Sequence, residues 1–377
     1  MNILITGGAG FIGSNLTHSL IGQGHFVTIL DNLSCQIHGD NPSITSPLYI
    51  SIKDKVKFIY GSVTEEKSWQ EAIIGQDAII HLAAETGTGQ SMYEIKRYVD
   101  INIGGTALML DILANQPHQV KKVLVASSRA IYGEGKYSSK SLGVCYPESR
   151  TKADLEAGHF DPLCPITGEP LVLLATDEES KIHPTSVYGI TKQNQEQMVM
   201  TVCSSLGIAA TALRYQNVYG PGQSLRNPYT GILSIFSTRI KNGNSINIFE
   251  DGKESRDFVY IDDVIEATVL ALFSSKANGE VFGIGSGVPI DVMTVASILV
   301  KQYGVDIELN ITGDFRLGDI RHNFADLKKA NELLGFKPKV SFEEGIALFT
   351  QWVNKQEVIA DSYDQSIAEM KKRGLMK

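Results

Sequence analysis

The chain has little of what marks membrane, secreted and nucleic-acid-binding proteins. Its 377 residues contain no uninterrupted apolar run near the ~18 residues of a membrane span. The four cysteines, Cys35, Cys145, Cys164 and Cys203, are far apart, which fits a reducing cytoplasm better than a disulfide framework. With a net charge of -8 the chain has no basic excess, so we expect neither nucleic acid nor a membrane as a partner.

The composition that is present is typical of a soluble globular protein. Hydrophobic residues make up 43% of the chain and charged residues 20%. This length suggests two domains, or one large α/β domain that carries a lobe. No internal repeat or low-complexity tract interrupts the sequence.

The N-terminal stretch has the pattern of a dinucleotide-binding unit. Residues 2–6 predict an apolar strand, glycines follow at Gly7, Gly10 and Gly13, and a second strand ends at Asp31. The three glycines suit a tight turn, close approach of a pyrophosphate and close packing of the next helix. A carboxylate at position 31 accepts hydrogen bonds from an adenosine ribose and repels a 2′-phosphate, which favours NAD over NADP.

Strands and helices continue to alternate as far as Arg214. This alternation predicts a Rossmann-type α/β fold, a doubly wound parallel sheet, with a smaller C-terminal α/β substrate lobe. Ligands of such sheets bind at the carboxyl ends of the strands. The residues expected near that edge are Thr6, Asp31, Ser62, Ala83 and Ser128.

Changes in pattern divide the chain into three regions. We predict a dinucleotide-binding domain over residues 1–220, a substrate-binding lobe over 221–350 and a helical tail over 351–377, with later segments returning to the first domain. An insert at about 134–183 breaks the alternation. Its cysteines and histidines lack the close spacing of a metal site, so we expect an ordered flap with buried thiols.

One short motif lies between the insert and the next strand. Tyr188 and Lys192 are four residues apart in a predicted helix, so they share one face. A nearby ammonium favours the phenolate form of tyrosine, which makes the pair a candidate general base. The pair alone is weak evidence, because the same spacing arises by chance in many helices.

A set of ordered motifs gives this pair its context. Together they resemble the extended short-chain dehydrogenase/reductases that act on nucleotide sugars, over about residues 1–350. The motifs are the glycine run with Asp31, the strand end at His81–Ala84, Asn102 with Gly105 and Thr106, Ser127-Ser128 with Tyr132-Gly133, Tyr188 with Lys192, Arg214 to Pro221, and Arg256-Asp257-Phe258.

The resemblance implies a role for each residue of the site, with NAD as cofactor and no metal. The catalytic residues are Ser128, Tyr188 and Lys192. The cofactor-binding residues are Gly7, Gly10, Phe11, Ile12, Gly13, Asp31, Asn32, Ser62, Val63, Leu82, Ala83, Ala84, Asn102, Tyr188, Lys192 and Tyr215. The substrate-binding residues are Glu85, Thr86, Ser128, Arg129, Asn217, Arg256 and Arg316, and the two last are expected to bind a diphosphate.

The residues that follow Ser128 indicate the reaction. Dehydratases of the resembled family carry Asp-Glu there, whereas this chain has Arg129 and Ala130, so we expect epimerisation at C4 with tightly bound NAD. The segments 85–93 and 227–236 are similar to those of dTDP-L-rhamnose 4-epimerases. A UDP-hexose 4-epimerase and a nucleotide-sugar 4-ketoreductase remain open, while Ser128, Tyr188 and Lys192 together disfavour a non-catalytic NAD sensor.

Two positions depart from the resembled pattern. Ser62 stands where the family often has an aspartate that holds adenine. Thr167 stands where some relatives have a second cysteine after Cys164-Pro165, so a metal is not carried over from them. The resemblance also implies a homodimer, for which Met109, Met198 and Val199 are candidate interface residues.

Overall fold

The structure is a computed structural model that describes residues 1–227, 229, 231–361 and 363–377. Pro228 and Thr230 of the predicted 227–236 motif lie outside the described residues. The strands are β1 (Asn2–Thr6), β2 (Phe26–Asp31), β3 (Lys57–Tyr60), β4 (Ala78–His81), β5 (Lys122–Ser128), β6 (Tyr137–Ser139), β7 (Gly143–Cys145), β8 (Val172–Leu173), β9 (Ala209–Tyr215), β10 (Asn217–Tyr219), β11 (Ile246–Ile248), β12 (Ser255–Tyr260), β13 (Glu280–Ile284), β14 (Pro289–Asp291), β15 (Leu309–Ile311) and β16 (His322–Asn323).

The helices cover both faces of the main sheet and most of the C-terminal part of the chain. A π-helix spans Val99–Gly104, and 3₁₀ turns span Arg129–Tyr132 and Ser275–Ala277. The α-helices are α1 (Phe11–Gly22), α2 (Cys35–His38), α3 (Pro42–Thr45), α4 (Pro47–Ile52), α5 (Glu66–Ala72), α6 (Thr88–Ser91), α7 (Ile95–Tyr98), α8 (Gly105–Asn115), α9 (Lys152–Glu156), α10 (Val187–Ser205), α11 (Ile232–Lys241), α12 (Ile261–Phe273), α13 (Val292–Tyr303), α14 (Lys328–Leu334), α15 (Phe342–Asn354) and α16 (Tyr363–Lys372).

The main sheet is parallel and places the site. Its described strands run in the order β13-β9-β5-β4-β1-β2-β3. The chain winds outward from β1 to β3 and then returns to β4 on the other side of β1, so the winding reverses between β1 and β4. A crevice opens at the carboxyl ends of strands where the winding reverses, and such crevices bind dinucleotides. The predicted Rossmann-type fold is confirmed.

Burial on both faces explains why these strands are almost wholly apolar. Along β1, Ile3 and Ile5 point into the hydrophobic cluster on one face, and Leu4 points into the cluster on the other. This alternation is that of a strand whose successive side chains point to opposite faces. Helices α5, α8 and α10 pack on the side of Leu4, while α1 and α12 pack on the side of Ile3 and Ile5.

The C-terminal part of the chain forms a lobe at the carboxyl edge of this sheet. Strand β12 is its centre and pairs with β10 and β16 in parallel and with β14 antiparallel. Strand β13 returns to the main sheet, where it pairs with β9. The first part of the lobe therefore lies between β9 and β13, both strands of the main sheet, and its second part follows β13.

The sequence of residues 91–115 predicts one long helix, and this prediction is wrong. The chain there is divided into α6, α7, the π-helix and α8. The side chain of Asn102 accepts a hydrogen bond from the Glu85 backbone N–H at 2.7 Å and donates to the Glu85 carbonyl at 3.1 Å. It also donates to the Thr191 hydroxyl at 3.0 Å. These bonds hold a widened turn in register with two neighbouring segments, a common role of π-bulges.

Two further expectations concern the dimer interface and membrane-spanning helices. Met109 and Val199 have no exposed surface and belong to the hydrophobic core, so they do not offer an interface to a second copy. Among the helices of the described ranges, none combines the length and apolarity needed to span a bilayer.

Candidate active site

A cleft of ≈ 1270 Å³ lies at the carboxyl ends of β1, β4 and β5, beneath the C-terminal lobe. It exceeds the roughly 300–1,000 Å³ of an ordinary ligand pocket and is large enough for two ligands side by side. Of the predicted site residues, only Asn102 does not line it, because its side chain is buried and bonded to Glu85 and Thr191. Asn102 thus supports the cleft wall from behind.

The glycine loop has the shape that a pyrophosphate requires. Gly7 has φ +67°, and a Cβ there would lie 2.8 Å from the backbone of Ala83. A Cβ on Gly13 would lie 2.5 Å from the Gly7 carbonyl oxygen. The first N–H groups of α1 have no carbonyl partner within the helix and meet the cleft at Phe11 and Ile12. The loop therefore fits a dinucleotide phosphate, and Gly7 and Gly13 tolerate no side chain.

Asp31 closes the adenosine end of this unit. Its Oδ2 accepts from the Ala9 N–H at 3.0 Å and its Oδ1 from the Leu33 N–H at 2.8 Å. Burial raises the pKa of Asp31, and the two backbone hydrogen bonds and the charge of His38 oppose that rise. Two backbone donors thus fix the carboxylate at the cleft wall, where its remaining lone pairs can accept ribose hydroxyls.

We expect Asp31→Asn to weaken NAD retention by about 10- to 100-fold, because a hydrogen bond to a charged group contributes roughly 1.5–3 kcal/mol. The ratio of NAD to NADP affinity should also fall, because the repulsion of a 2′-phosphate is lost. Calorimetric titration of the cofactor-free protein measures both affinities. Asp77→Asn is the matched control, since Asp77 accepts a backbone N–H from Asn2 at the opposite edge of the sheet. Equal losses in the two variants would contradict the assignment.

Ser128, Arg129 and Tyr188 meet where β5 and α10 approach each other. The approach is close: a Cβ on Gly189 would lie 2.6 Å from the Ala130 carbonyl oxygen. Burial raises the pKa of Tyr188 above its ordinary value, and a hydrogen bond from Ser128 and the charge of Arg129 oppose that rise. The charge of Arg129 thus favours the phenolate, an effect that the sequence pattern attributes to Lys192.

Lys192 lies in the same wall, and its ammonium group is held from the side. Nζ donates to Gln195 Oε1 at 2.7 Å, and the residue is 3% exposed. Burial lowers the pKa of Lys192 to about 7, which the charge of Glu196 opposes. An ammonium has three N–H donors, so the Gln195 bond leaves two of them available to a ligand in the cleft.

A buried chain of hydrogen bonds fixes Gln195. Its Nε2 donates to Thr106 Oγ1 at 2.8 Å, and Thr106 Oγ1 donates to the Asn102 carbonyl at 2.6 Å. His81 Nε2 lies 3.0 Å from Thr106 Oγ1, and its Nδ1 lies 2.7 Å from Thr6 Oγ1. The Thr106 proton is already used, so His81 Nε2 carries the hydrogen and Nδ1 accepts from Thr6.

The His81 side chain in this hydrogen-bond network is therefore neutral. Burial, and then the charge of Lys192, lowers the pKa of His81 to about 3. Thr6 Oγ1 also accepts from the Ala83 N–H at 3.3 Å, at the point where the sheet reverses its winding. The position of Lys192 is thus connected to the strand ends that border the dinucleotide crevice.

Arg256 and Arg316, the two arginines predicted to bind a diphosphate, differ in how many of their N–H donors are already hydrogen-bonded within the protein. Arg256 uses Nη1 and Nη2 for the carbonyls of Ser255, Ile320 and Arg321 and for Asp319 Oδ1, at 2.7–3.1 Å. Arg316 stacks over the Phe249 ring at 4.9 Å, and its Nε has no partner among the described residues. Arg316 is therefore the more available anion ligand, and Arg256 mainly holds the wall.

Sequence reasoning missed Asp319 in this cluster. Burial pushes the pKa of its carboxyl upward, but the guanidinium groups of Arg256, Arg316 and Arg129 hold it below the ordinary value. Burial, and then repulsion by Arg256, lowers the pKa of Arg129 to about 10, and Arg129 Nε donates to Asn217 Oδ1 at 3.0 Å. Arg129, Arg256 and Arg316 therefore lie together at one part of the cleft wall, and Asp319 balances only part of their positive charge.

Other residues of the cleft also had no signal in the sequence. Glu254, Phe249 and Tyr363 line the side of the C-terminal lobe. Burial raises the pKa of Glu254 to about 7. Tyr363 begins α16, so the predicted helical tail contributes to the cleft. Of these three, only Glu254 lies close in the sequence to a predicted site residue, because it directly precedes the strand that carries Arg256.

The cysteines of the insert do not form a ligand set. Cys145 and Cys164 are buried, and no cluster of three or more His, Cys, Asp and Glu side chains suited to a metal occurs within the described ranges. Hydrogen bonds from Thr167 lower the pKa of Cys164 to about 7.

Comparison with known proteins gives one family. The model of the NAD dependent epimerase/dehydratase family matches residues 3–151 and 167–285. A dTDP-L-rhamnose 4-epimerase of Burkholderia thailandensis is 38% identical over 357 residues, which are 94% of this chain and 95% of that protein.

Solved structures agree in fold. A UDP-glucose 4-epimerase of Thermotoga maritima, crystallised with UDP-glucose, is 30% identical with a TM-score of 0.74, covering 94% of this chain and 99% of that one. A UDP-glucuronic acid 4-epimerase of Bacillus cereus, in complex with UDP-glucuronic acid and NAD, is 25% identical with a TM-score of 0.75 and the same coverage.

These findings confirm the resemblance and the expectation of NAD as cofactor. They also confirm the expectation of an NAD-dependent nucleotide-sugar 4-epimerase, while the nucleotide and the sugar are not identified by them. The chain belongs to the NAD dependent epimerase/dehydratase family.

Proposed function

We propose that this enzyme inverts C4 of a dTDP-linked 6-deoxyhexose and converts dTDP-L-rhamnose to dTDP-6-deoxy-L-talose. One observation supports this reaction type above the others: Ser128, Tyr188 and Lys192 all line one cleft, and the glycine loop lines the same cleft. Arg129 and Ala130 follow Ser128, so the chain offers no carboxylic acid there for an elimination. The dTDP-L-rhamnose substrate is supported by the Burkholderia relative and by the similar segments at 85–93 and 227–236.

The chain's own residues manage the proton and the orientation. Tyr188, as phenolate, takes the proton of the C4 hydroxyl, and Ser128 shares it. Arg129 stabilises the phenolate charge, while Lys192 keeps two donors for a ligand. Bound NAD supplies reversible hydride transfer, so that the alcohol carbon becomes a planar ketone that can be reduced from either face.

The remaining contacts are assigned to the ends of the ligands. Arg316 and, through its Nε, Arg256 bind the diphosphate, and Asn217 binds close to it. Glu85, Thr86 and Arg129 bind the sugar. The glycine loop, Asp31, Asn32, Ser62, Val63, Leu82, Ala83, Ala84 and Tyr215 hold NAD, and Asn102 supports that site through Glu85.

Incubation with a panel of dTDP-, UDP-, GDP- and CDP-sugars tests the proposal. We expect dTDP-L-rhamnose to give a product of unchanged mass with inverted C4 configuration by NMR, and no net change in nicotinamide absorbance. Turnover of UDP-glucose in preference to dTDP-L-rhamnose would instead establish the UDP-hexose 4-epimerase, which the Thermotoga structure favours. Consumption of one reduced cofactor per product would establish a 4-ketoreductase.

We also propose a homodimer, in which the partly buried Met198 stays a candidate interface residue and other residues take the place of Met109 and Val199. Ile95 and Val99 on one helical segment and Ile190 on α10 are 51%, 38% and 45% exposed. Ile95, Val99 and Ile190 thus expose apolar side chains to solvent on neighbouring segments, whereas Met109 and Val199 are buried. Light scattering distinguishes the dimer from a monomer of 41.2 kDa.

A further inference from the structure

The insert, residues 134–183, is packed against the segment of the lobe that carries two cleft residues. That segment, residues 315–326, includes Arg316 and Asp319. Within the insert, β6 pairs antiparallel with β7 and with β8, so the insert has a small sheet of its own. The outer part of the insert, 152–166, lies outside the family match.

The insert contacts the segment at three successive positions. Arg150 donates through Nη2 to the Asp319 carbonyl at 2.9 Å. Glu134 Oε2 accepts from the backbone N–H of Arg321 at 2.7 Å. Thr176 donates its N–H to the Phe324 carbonyl at 2.8 Å, and its carbonyl accepts from the Asp326 N–H at 3.0 Å. The contacts therefore follow the backbone of the segment from residue 319 to residue 326.

Arg150 is the centre of this attachment. Its side chain is 3% exposed, and Nη1 lies 2.8 Å from both carboxylate oxygens of Glu250. Nη1 also donates to the Phe160 carbonyl at 3.1 Å, and Nε lies 3.2 Å from Glu134 Oε1 in an ion pair without hydrogen-bond geometry. A planar guanidinium with fixed donors suits such a set of acceptors, and an ammonium does not.

The carboxylate on the lobe side is held in an unusual backbone conformation. Glu250 is buried and has φ +48°, in the left-handed region that a residue other than glycine seldom adopts. Its carboxylate also accepts from Arg321 Nη1 at 3.0 Å. A conformation of this kind persists where the surroundings over-determine it, and here two buried arginines do so.

A second arginine closes the network from the opposite direction. Arg321, 1% exposed, extends from the segment to Asp161 of the insert at 2.8 Å and to Asp251 of the lobe at 2.7 and 3.0 Å. Opening the insert would separate Arg150 from Glu250 and Arg321 from Asp161. The Arg150–Glu250 pair is buried, with side chains 3% and 6% exposed, so breaking it would leave buried charges without partners, whereas Asp161 is 74% exposed and its pairing with Arg321 contributes little.

We infer that the insert is a fixed clamp, not a lid, and that Arg150 is a positioning residue that sets the place of Asp319 and Arg316 in the cleft. The inference rests on the proposed function in one respect, since it assigns the nucleoside diphosphate to that part of the cleft. The opposite side of the segment is held by the C-terminus, where the Leu317 N–H donates to the Leu375 carbonyl at 3.0 Å. The C-terminal tail thus holds segment 315–326 on one side, and Arg150 holds it on the other.

Hydrogen exchange and calorimetry on the holoenzyme and Arg150→Met test the clamp. We expect faster exchange confined to residues 316–326, with the main sheet unchanged. The dissociation constants of dTDP and UDP should rise roughly tenfold, because small displacements of binding groups are costly. NAD content and kcat should change little. Arg150→Lys should restore less than half of the loss in binding free energy.

Lys136→Met is the matched control. Lys136 pairs with Asp177 inside the insert and has no ion pair with the lobe among the described residues. We expect normal dTDP and UDP binding from it. If Arg150→Met fails to fold, Glu250→Gln keeps the size and one acceptor, and it should move exchange and binding in the same direction.

Two results would overturn the clamp. One is a folded Arg150→Met with unchanged exchange at 316–326 and unchanged affinity for both nucleotides. The other is rapid exchange of the wild-type insert that becomes slow when dTDP or UDP is added, as a lid requires. The hydrogen-exchange measurement needs no turnover and therefore tests the clamp separately from the proposed function. If no nucleotide binds and no sugar is converted, the proposed function fails. Faster exchange at 316–326 in Arg150→Met would still support the clamp in that case.

Discussion

Tyr188→Phe should reduce kcat for C4 epimerisation by about 10²- to 10⁴-fold, the range that a positioned general base contributes. The hydroxyl is the only atom removed, and its partners, Ser128 and the charge of Arg129, stay in place. We therefore expect the variant to fold, to retain NAD and to bind nucleotide sugar with little change in affinity. Initial rates by NMR, with NAD released by denaturation and counted by absorbance, measure these quantities.

The control for this variant is Tyr60→Phe. Tyr60 lies on the edge strand β3, is 75% exposed and does not line the cleft. Its turnover should equal that of the wild type. If Tyr188→Phe turned over within tenfold of the wild type with NAD bound, another group would be the base, and Arg129 would lose its assigned role with it.

The parts of the site that the sequence predicts are those built from neighbouring residues. The glycine loop follows from its spacing, because Gly13 must lie against the backbone of Gly7 and Gly8 within one βαβ unit, although the backbone that Gly7 approaches is that of Ala83 after β4. Tyr188 and Lys192 share a helix face for the same local reason. The parallel, doubly wound sheet followed from the alternation of elements, since parallel strands require helical crossovers.

The parts that the sequence does not predict depend on pairs distant in the chain. Lys192 is held by Gln195 because Thr106 and His81 accept and donate behind it, and no local pattern contains all four. The break in the helix before α8 depends on Asn102 meeting Glu85 and Thr191. Likewise, the left-handed conformation of Glu250 is stabilised by Arg150, 100 positions away in the sequence, and by Arg321.

Lys192→Met should lower activity and raise stability in the same protein. Lysine in an unfolded chain keeps its proton to about pH 10.4, whereas burial lowers the pKa of Lys192 to about 7 in the folded state. Between these values the unfolded state binds more protons, so the wild type gains stability as pH rises. The penalty of the buried ammonium is complete below pH 7 and fades towards pH 10.

Methionine has no charge to bury. The gain in free energy of unfolding of Lys192→Met over the wild type should therefore vary with pH as the penalty of the buried ammonium does. We expect Lys192→Met to be more stable than the wild type by on the order of 2 kcal/mol at pH 7, after the cost of leaving Gln195 without its donor. The advantage should shrink as pH rises from 7 to 10. In contrast, kcat should fall by about 10²-fold or more, because a cation that orients the reacting groups is lost. Denaturant unfolding at pH 6, 7, 8 and 9 with parallel rate measurements gives both trends.

Lys122→Met separates this trade-off from the general effect of removing a buried lysine. Burial also lowers the pKa of Lys122, to about 8, but Lys122 lies outside the cleft and donates to the Ala271 and Ser274 carbonyls at 2.7 and 2.9 Å. Its loss leaves two acceptors without a donor, so that variant should gain little or no stability and keep normal kcat. If Lys192→Met were less stable than the wild type at pH 7, or kept more than about a tenth of its kcat, Lys192 would be a structural lysine and not part of the proton-transfer centre.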